Sequence, residues 1–256
     1  MKKAFWMLML LASAMTCMVL SACDGKGTKA DIVDEACSDT ECAHEWKAKV
    51  DTLPKLNIRD EHLMQGARSI NAIVIHCSAS AEETSMPVDS VRKDHKGRGF
   101  RDIGYHFYIT RDGQIHNGRW VAEQGAHVFG HNKHTIGICY EGGLRKASKI
   151  KGAPKLEVPK SMKHSKYAIY KEEIDGKPVM VTVIKGVPYL PADTRTFAQK
   201  KAMKELVQRL MMIYPKAKIR GHRDYSPDAN GDGRITQDEW IKACPSFDAK
   251  GLLDDK

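Results

Sequence analysis

The feature that most constrains the fold of this chain is an alternation of apolar runs and helical spacings that begins near Ile70. Residues 72–75, 136–140 and 219–221 are short runs typical of strands, and residues 196–214 keep apolar side chains at helical spacing. This alternation is typical of an α/β domain, in which helices cover the faces of a sheet. The sequence therefore predicts a single domain with a mostly mixed β-sheet flanked by helices.

Local patterns predict the remaining elements. Residues 88–96 predict a helix, and residues 106–109 and 114–117 predict a hairpin that turns at Gly113. The segment from about 145 to 191 fits the alternation poorly. We interpret it as an insertion with a basic first half and a hairpin, formed by residues 177–183 and 187–190, in its second half.

Three widely separated residues have side chains suited to zinc. His76 follows the first predicted strand, His222 follows the last, and Cys244 precedes Pro245. Zinc accepts imidazole nitrogen and thiolate sulfur at about 2.0–2.3 Å in a tetrahedral shell. Three protein ligands leave the fourth position for water, as in catalytic sites. The sequence thus predicts a zinc site at one edge of the sheet and a hydrolase rather than a binding domain.

The first 22 residues have the pattern of an export signal, with two lysines, an apolar stretch and the small residues that end at Ala22. Residues 20–23 resemble the lipobox of bacterial lipoproteins, which implies a lipid on Cys23 and a membrane-anchored protein of the bacterial cell envelope, periplasmic or surface-exposed. A plain secretory signal with an incidental cysteine is the alternative. Residues 23–60 are polar and are interpreted as a tether, so we expect the domain over residues 61–256.

Export also bears on the other cysteines, since an envelope compartment permits disulfides. Cys37 and Cys42 could close a small loop in the tether or remain unpaired. Cys77 and Cys139 lie in apolar runs and are expected to be small buried hydrophobes.

The formal net charge of +9 suggests an acidic partner. From residue 145 to residue 171 there are nine lysines and arginines but only one acidic residue, Glu157. Nucleic acid is not an expected partner outside the cytoplasm. Anionic wall polymer, peptide-stem carboxylates or lipid headgroups match such a patch better, and a solvated loop without a partner is the alternative.

Four segments together resemble a known family. They are Ile75-His76-Cys77-Ser78-Ala79, Ile103-Gly104-Tyr105-His106-Phe107, Ile136-Gly137-Ile138 with Gly142-Gly143, and Lys242-Ala243-Cys244-Pro245-Ser246-Phe247-Asp248. In this order they resemble the zinc-dependent N-acetylmuramoyl-L-alanine amidases, above all the phage lysozyme-type amidases, which are relatives of the peptidoglycan recognition proteins. The resemblance covers residues 71–252 and is interrupted by the insertion.

The resemblance implies roles for individual residues. His76, His222 and Cys244 match the zinc ligands of the family. Tyr105 matches a tyrosine beside the metal-bound water, and Lys242 matches a lysine that stabilises charge on the scissile carbonyl oxygen. The implied substrate is peptidoglycan or its muropeptide fragments, cut at the amide between N-acetylmuramic acid and L-alanine.

Two further histidines and one asparagine are given expected roles from their places in the chain. His127 and Asn132 lie in the loop before the strand at Ile136 and are expected to meet substrate. His106 neighbours Tyr105 in an extended segment, where successive side chains point to opposite faces, and a packing role is expected for it.

The interval between His222 and Cys244 contains a stretch, residues 228–239, that matches an EF-hand calcium loop. Its candidate oxygen donors are Asp228, Asn230, Asp232, Arg234 through its carbonyl, and Glu239. Gly233 would supply the sharp turn of the loop. A hydrogen-bonded surface loop that needs no ion is the alternative.

Taken together, the residues predict an anchored zinc amidase of the cell wall, with calcium as a second, structural ion. A non-catalytic peptidoglycan-binding protein is the alternative, although such relatives typically lack the cysteine ligand. A toxin delivered to rival cells is a third interpretation, against which the lipoprotein-like signal speaks.

Overall fold

The computed structural model describes residues 68–254. The signal segment 1–22, the lipidation site Cys23 and the pair Cys37 and Cys42 lie outside the described residues. Within the described range the strands are β1 (Ala72–Cys77), β2 (Ser80–Ala81), β3 (Phe107–Ile109), β4 (Ile115–Asn117), β5 (Thr135–Tyr140), β6 (Gly143–Lys146), β7 (Tyr167–Ile174), β8 (Lys177–Ile184), β9 (Val187–Pro191) and β10 (Lys218–Gly221). The helices are α1 (Val88–Gly97) and α2 (Phe197–Ile213).

A five-stranded central sheet has the strand order β10-β1-β5-β3-β4. Strand β1 pairs in parallel with β10 and with β5, β5 pairs in parallel with β3, and the edge strand β4 is antiparallel. The prediction of a mixed central sheet is confirmed. Because β1 and β10 run in the same direction, the residues that follow them meet at one edge of the sheet.

The two helices cover opposite faces of this sheet. Ile73 and Ile75 of β1 pack in one cluster with Leu206 of α2, whereas Val91 of α1 packs with Tyr108 from the other face. Successive residues of a strand alternate between the faces, so His76 lies on the face opposite α2.

Helix α2 begins where the sequence predicts it. Thr196 caps the helix: its hydroxyl accepts a hydrogen bond from the backbone N–H of Gln199, whose side-chain oxygen accepts one from the N–H of Thr196. This reciprocal capping box satisfies two backbone donors. The Gln199 amide also donates to the carbonyls of Ile109 and Glu141, which ties the helix start to the central sheet.

A second sheet, with the order β2-β6-β9-β8-β7, was not predicted as such. The predicted hairpin of β8 and β9 is confirmed, but β7 precedes it in the basic part of the insertion, where no strand was predicted. It pairs with β8 along its whole length through a turn at Asp175 and Gly176, both at positive φ. An Asp-Gly pair between two strands is a strong hairpin signal, and it is the signal that would have found β7.

Among the described residues, no helix has both the length and the apolar character needed to cross a membrane.

Candidate metal centre

Two histidines meet at the edge formed by β1 and β10. Ile75 is paired with Gly221, so the next residue of each chain segment, His76 and His222, stands beside the other. His76 is buried and His222 is half-buried. Their Nδ1 atoms are 3.1 Å apart, so both rings present a nitrogen to the same small space.

Cys244 is brought to this space by a loop whose backbone is held at several points. The N–H of Arg223 donates to the Cys244 carbonyl at 2.8 Å, and the Tyr140 hydroxyl donates to the Pro245 carbonyl at 2.7 Å. The peptide bond between Cys244 and Pro245 is cis, and the Pro245 ring packs so closely on Gly221 that a Cβ there would lie 2.7 Å from it. The Cys244 sulfur itself accepts a hydrogen bond from the Cys77 N–H at 3.2 Å.

The three donor atoms suit a tetrahedral metal ion. The Cys244 sulfur is 3.9 Å from Nδ1 of His76, and all three donors lie within 4.8 Å of one another. Bonds of about 2.0–2.3 Å in a tetrahedron place ligand atoms about 3.3–3.8 Å apart. Two imidazoles and one thiolate form a donor set that favours zinc over magnesium or calcium. His76, His222 and Cys244 could therefore hold zinc with little rearrangement.

A chain of hydrogen bonds decides which nitrogen of His76 faces this space. The Thr135 hydroxyl donates to the His131 carbonyl at 2.9 Å, so its oxygen must accept a proton from Nε2 of His127, 3.3 Å away. Nδ1 of His127 is then an acceptor and receives the Nε2 proton of His76 at 3.0 Å. Nδ1 of His76 is left with a free lone pair directed at His222 and Cys244, as metal ligation requires.

Burial keeps the imidazoles neutral, which is the form that binds metal. Burial lowers the pKa of His76 well below its usual value, with a further contribution from His222. Burial, together with a smaller contribution from the nearby charge of Lys242, lowers the pKa of His222 to about 4. Burial raises the pKa of the Cys244 thiol well above its usual value. At neutral pH without metal, the site thus holds two neutral rings and one protonated thiol.

His127 and Asn132, which were expected to contact substrate, have other partners in the structure. His127 is buried behind His76, with both ring nitrogens engaged as described. The Asn132 side-chain oxygen accepts hydrogen bonds from the N–H groups of His127 and Val128, at 2.8 and 2.9 Å. Gly137 leaves room for the His127 ring, since a Cβ there would lie 2.6 Å from it. His127 positions His76 and Asn132 holds the backbone at His127, roles that the sequence did not reveal.

The side chains of Tyr105 and His106 lie in different surroundings, as the sequence predicted. The Tyr105 ring lies 5.2 Å from that of His76, and burial raises the pKa of its hydroxyl well above the usual value. His106 is fully buried and accepts the Gly137 N–H at 2.9 Å, while its other nitrogen bonds the Glu123 carbonyl. Tyr105 is therefore next to the candidate site, and His106 joins two segments of the core.

The EF-hand-like loop satisfies its own backbone. Asp228 accepts hydrogen bonds from the N–H groups of Gly231 and Gly233, and Glu239 accepts one from Ala229. Gly233 has a φ of +78°, as its turn position requires. Within residues 68–254, His76, His222 and Cys244 form the one group of three or more ligand side chains whose donors lie so close together. Calcium binding by Asp228, Asn230, Asp232, Arg234 and Glu239 stays a prediction.

The chain matches a family model over most of the described range. A model described as N-acetylmuramoyl-L-alanine amidase covers residues 66–240. That is more than half of the 256 residues. The chain belongs to the N-acetylmuramoyl-L-alanine amidase family. The match includes His76, Tyr105 and His222 and ends two residues before Lys242.

Relatives of this amidase-family chain include proteins of bacteria and phages. An uncharacterised protein of Haemophilus influenzae is 37% identical over 143 residues, which are 56% of this chain and 88% of the relative. The endolysin of Escherichia phage T7 is 28% identical over 182 residues, 71% of this chain and 84% of the endolysin. Among solved structures, an N-acetylmuramoyl-L-alanine amidase endolysin of Clostridium intestinale aligns with a TM-score of 0.44 and 21% identity, over 79% of this chain and 93% of that one.

The hydrogen-bond chain behind His76 leads to a prediction for this family member. Replacing His127 by phenylalanine keeps a ring of similar size but removes the acceptor of the His76 proton. Because loss of such a partner typically costs a factor of about 10–100 in metal affinity, we expect the zinc Kd to rise by that factor. Competition with a chromogenic chelator measures it.

A matched pair of variants at Thr135 provides the control. Thr135→Ser keeps the hydroxyl that accepts from His127, and it should bind zinc as the wild type does. Thr135→Val has nearly the same shape but lacks the hydroxyl, and it should weaken zinc binding in the same direction as His127→Phe. Equal zinc Kd values for His127→Phe and the wild type would show that the chain does not orient His76.

Proposed function

We propose that this protein is a zinc-dependent N-acetylmuramoyl-L-alanine amidase, which hydrolyses the amide between the lactyl group of N-acetylmuramic acid and the L-alanine of the peptide stem. The observation that supports it most is the convergence of His76, His222 and Cys244 on one small space, with the His76 lone pair directed into it. This constellation occurs in a chain of the amidase family. The substrate is peptidoglycan or its muropeptides.

Amide hydrolysis requires an activated water, a stabilised oxyanion and a protonated leaving nitrogen. A zinc ion held by the three ligands would supply a bound water of lowered pKa and a Lewis acid for the carbonyl. The side chains around the site have to supply the rest.

Lys242 and Tyr105 suit the two remaining tasks. Lys242 is exposed and close enough for its charge to lower the pKa of both ligand histidines, so it could offset negative charge on the scissile carbonyl oxygen. Tyr105 has a raised pKa, so its hydroxyl stays protonated at neutral pH. It can donate a hydrogen bond to the water or hand a proton to the departing nitrogen, but it is not a phenolate base.

We further propose that the protein works in the bacterial cell envelope, anchored through a lipid on Cys23. The sequence of the first 23 residues supports this setting. An anchored amidase would meet wall polymer or turnover fragments near the membrane surface. Nucleic acid is not a proposed partner.

The decisive experiment is mass spectrometry of muropeptides incubated with the zinc-loaded protein and, in parallel, with chelated protein. We expect free stem peptides and peptide-free glycan from the zinc-loaded sample alone. Intact muropeptides that bind to the protein without being cut would instead support the non-catalytic recognition function. Cleavage at a different bond would give products of different mass and would contradict the proposed specificity.

A further inference from the structure

A cleft of about 210 Å³ borders the candidate metal centre on the side of the second sheet. One wall is formed by Lys171, Pro178 and Met180 of the hairpin β7–β8, and the other by Arg223, Trp240 and Ala243. Arg223 follows the ligand His222, and Ala243 precedes the ligand Cys244. The cleft therefore lies beside the two segments that carry the candidate ligands His222 and Cys244, and it extends along the insertion.

The hairpin wall presents a defined set of side chains to the cleft. Lys171 is paired with Met180 across the two strands, so both side chains stand on one face of the second sheet. On the opposite face, Tyr170 and Val181 pack in a cluster covered by the segment that includes Leu156. Lys171 is thereby directed away from that cluster and toward the cleft, where its charged end remains exposed.

The cleft has positive charge and lacks a carboxylate. Of the residues that line it, Lys171 and Arg223 are cationic and none is acidic. The Arg223 guanidinium lies 4.3 Å from the centre of the Trp240 ring, and its one ion pair in the described part of the chain is a 3.8 Å contact to the exposed Asp248. Lys171 makes no ion pair with any described residue. Lys171 is thus available to an anionic ligand, and Arg223, whose contact to Asp248 is long, adds positive charge to the same cleft.

The two walls are joined, so the cleft exists before a ligand arrives. The side-chain amide of Gln237, at the end of the EF-hand-like loop, donates to the Pro178 carbonyl at 3.0 Å. This bond links the loop before Lys242 to the hairpin of the insertion. A preformed site spares a ligand part of the ordering cost of binding.

We infer that this cleft binds a carboxylate of the peptide stem and makes the insertion a specificity element. The inference rests on the proposed function, since the stem starts at the bond next to the metal centre. Stem residues have free carboxylates, whereas the sugars of the glycan strand are neutral, so the two cations select the peptide side. The cleft, with a volume of about 210 Å³, has room for a short peptide segment. Met180, Pro178 and Trp240 offer apolar contact to its methyl and methylene groups.

The test compares binding of two synthetic probes to the zinc-loaded protein by calorimetry. One probe is the tripeptide L-alanyl-γ-D-glutamyl-L-lysine with free carboxylates, and the other has them replaced by carboxamides. We expect the free-acid peptide to bind more tightly, with a Kd that rises with salt concentration. Lys171→Gln should weaken its binding by about fivefold, the upper range for a solvent-exposed ion pair, while Lys171→Arg should retain it.

The matched control is Lys149→Gln, because Lys149 is an exposed lysine of the same insertion that does not line the cleft. It should bind both probes as the wild type does. Equal affinity for the two probes, or an unchanged Kd in Lys171→Gln, would overturn the inference.

Cleavage of muropeptides by the same samples separates this inference from the proposed function. If the wild type cuts muropeptides and Lys171→Gln shows the same KM, the protein is an amidase and the cleft inference is wrong. If the wild type cuts nothing yet binds the free-acid peptide through Lys171, the cleft inference holds and the proposed catalysis is wrong.

Discussion

Replacing Cys244 by serine is expected to abolish both zinc binding and amide hydrolysis while leaving the fold intact. The cysteine sulfur is one of three donors within 4.8 Å, and a serine hydroxyl does not become an anionic ligand near neutral pH. The effect on zinc affinity should exceed the roughly 10–100-fold cost of losing only a hydrogen-bond partner of a ligand. Zinc content after gel filtration and release of stem peptide measure the two losses.

The fold should survive because most contacts of the loop are made by its backbone, and the hydrogen bond that the sulfur accepts from the Cys77 N–H can pass to the serine oxygen. Its backbone is held by the bonds from Arg223 to Cys244 and from Tyr140 to Pro245. Far-ultraviolet circular dichroism should therefore be unchanged. Cys139→Ala is the matched control, since Cys139 is a buried cysteine of the central sheet that lies outside the donor group. It should keep full zinc stoichiometry, and loss of zinc from this control would show that the Cys244 effect is not specific.

The protonation states add a sharper test of the same ligand. The Cys244 thiol has a raised pKa, so it is protonated at pH 7 and must lose its proton to bind zinc. The two histidines have lowered pKa values, so they are already neutral and release none. We expect one proton released per zinc at pH 7, visible as a buffer-dependent calorimetric enthalpy. Any residual zinc binding by Cys244→Ser should release no proton.

The sequence predicted the elements that position the ligands because each element is determined by interactions between residues close together in the chain. The apolar run before His76 and the capped helix beginning after Thr196 follow from spacing and capping within a few residues. The clustering of His76, His222 and Cys244 was expected from the motifs, and the structure brings these residues together.

What the sequence could not show depends on contacts between distant segments. His127 was expected to face substrate because it lies in a loop, but its partner is His76, 51 residues away. In the sequence Gly137 looks like an ordinary strand residue, but in the structure a Cβ at this position would collide with the His127 ring. The cationic cleft could not be predicted for the same reason, since Lys171 lies in β7 of the second sheet and Arg223 lies just after β10, and only the folded chain places them together.

The second large effect is expected from Lys242→Met, which should lower kcat by about 10²–10³-fold with zinc fully bound at pH 8. This is the typical cost of removing one group that stabilises an oxyanion. The methionine retains most of the side-chain volume and removes the charge, and Lys242 is exposed, so stability should change little. Steady-state kinetics on a defined muropeptide gives kcat, and Lys242→Arg, which keeps the positive charge, should retain part of it.

The charge of Lys242 also has an effect on zinc binding that a purely structural lysine would not have. It helps burial to lower the pKa of His222 to about 4, so its removal should raise that pKa and let protons compete with zinc at a higher pH. The loss of zinc on acidification should therefore begin at higher pH in Lys242→Met than in the wild type, while the two proteins bind zinc equally at pH 8. An unchanged kcat would show that Lys242 has no catalytic role. An unchanged pH of zinc loss would show that its charge does not affect the ligands. The two readouts are independent. A fall in kcat without a change in the pH of zinc loss would therefore show that Lys242 acts on the substrate and not on the metal ligands.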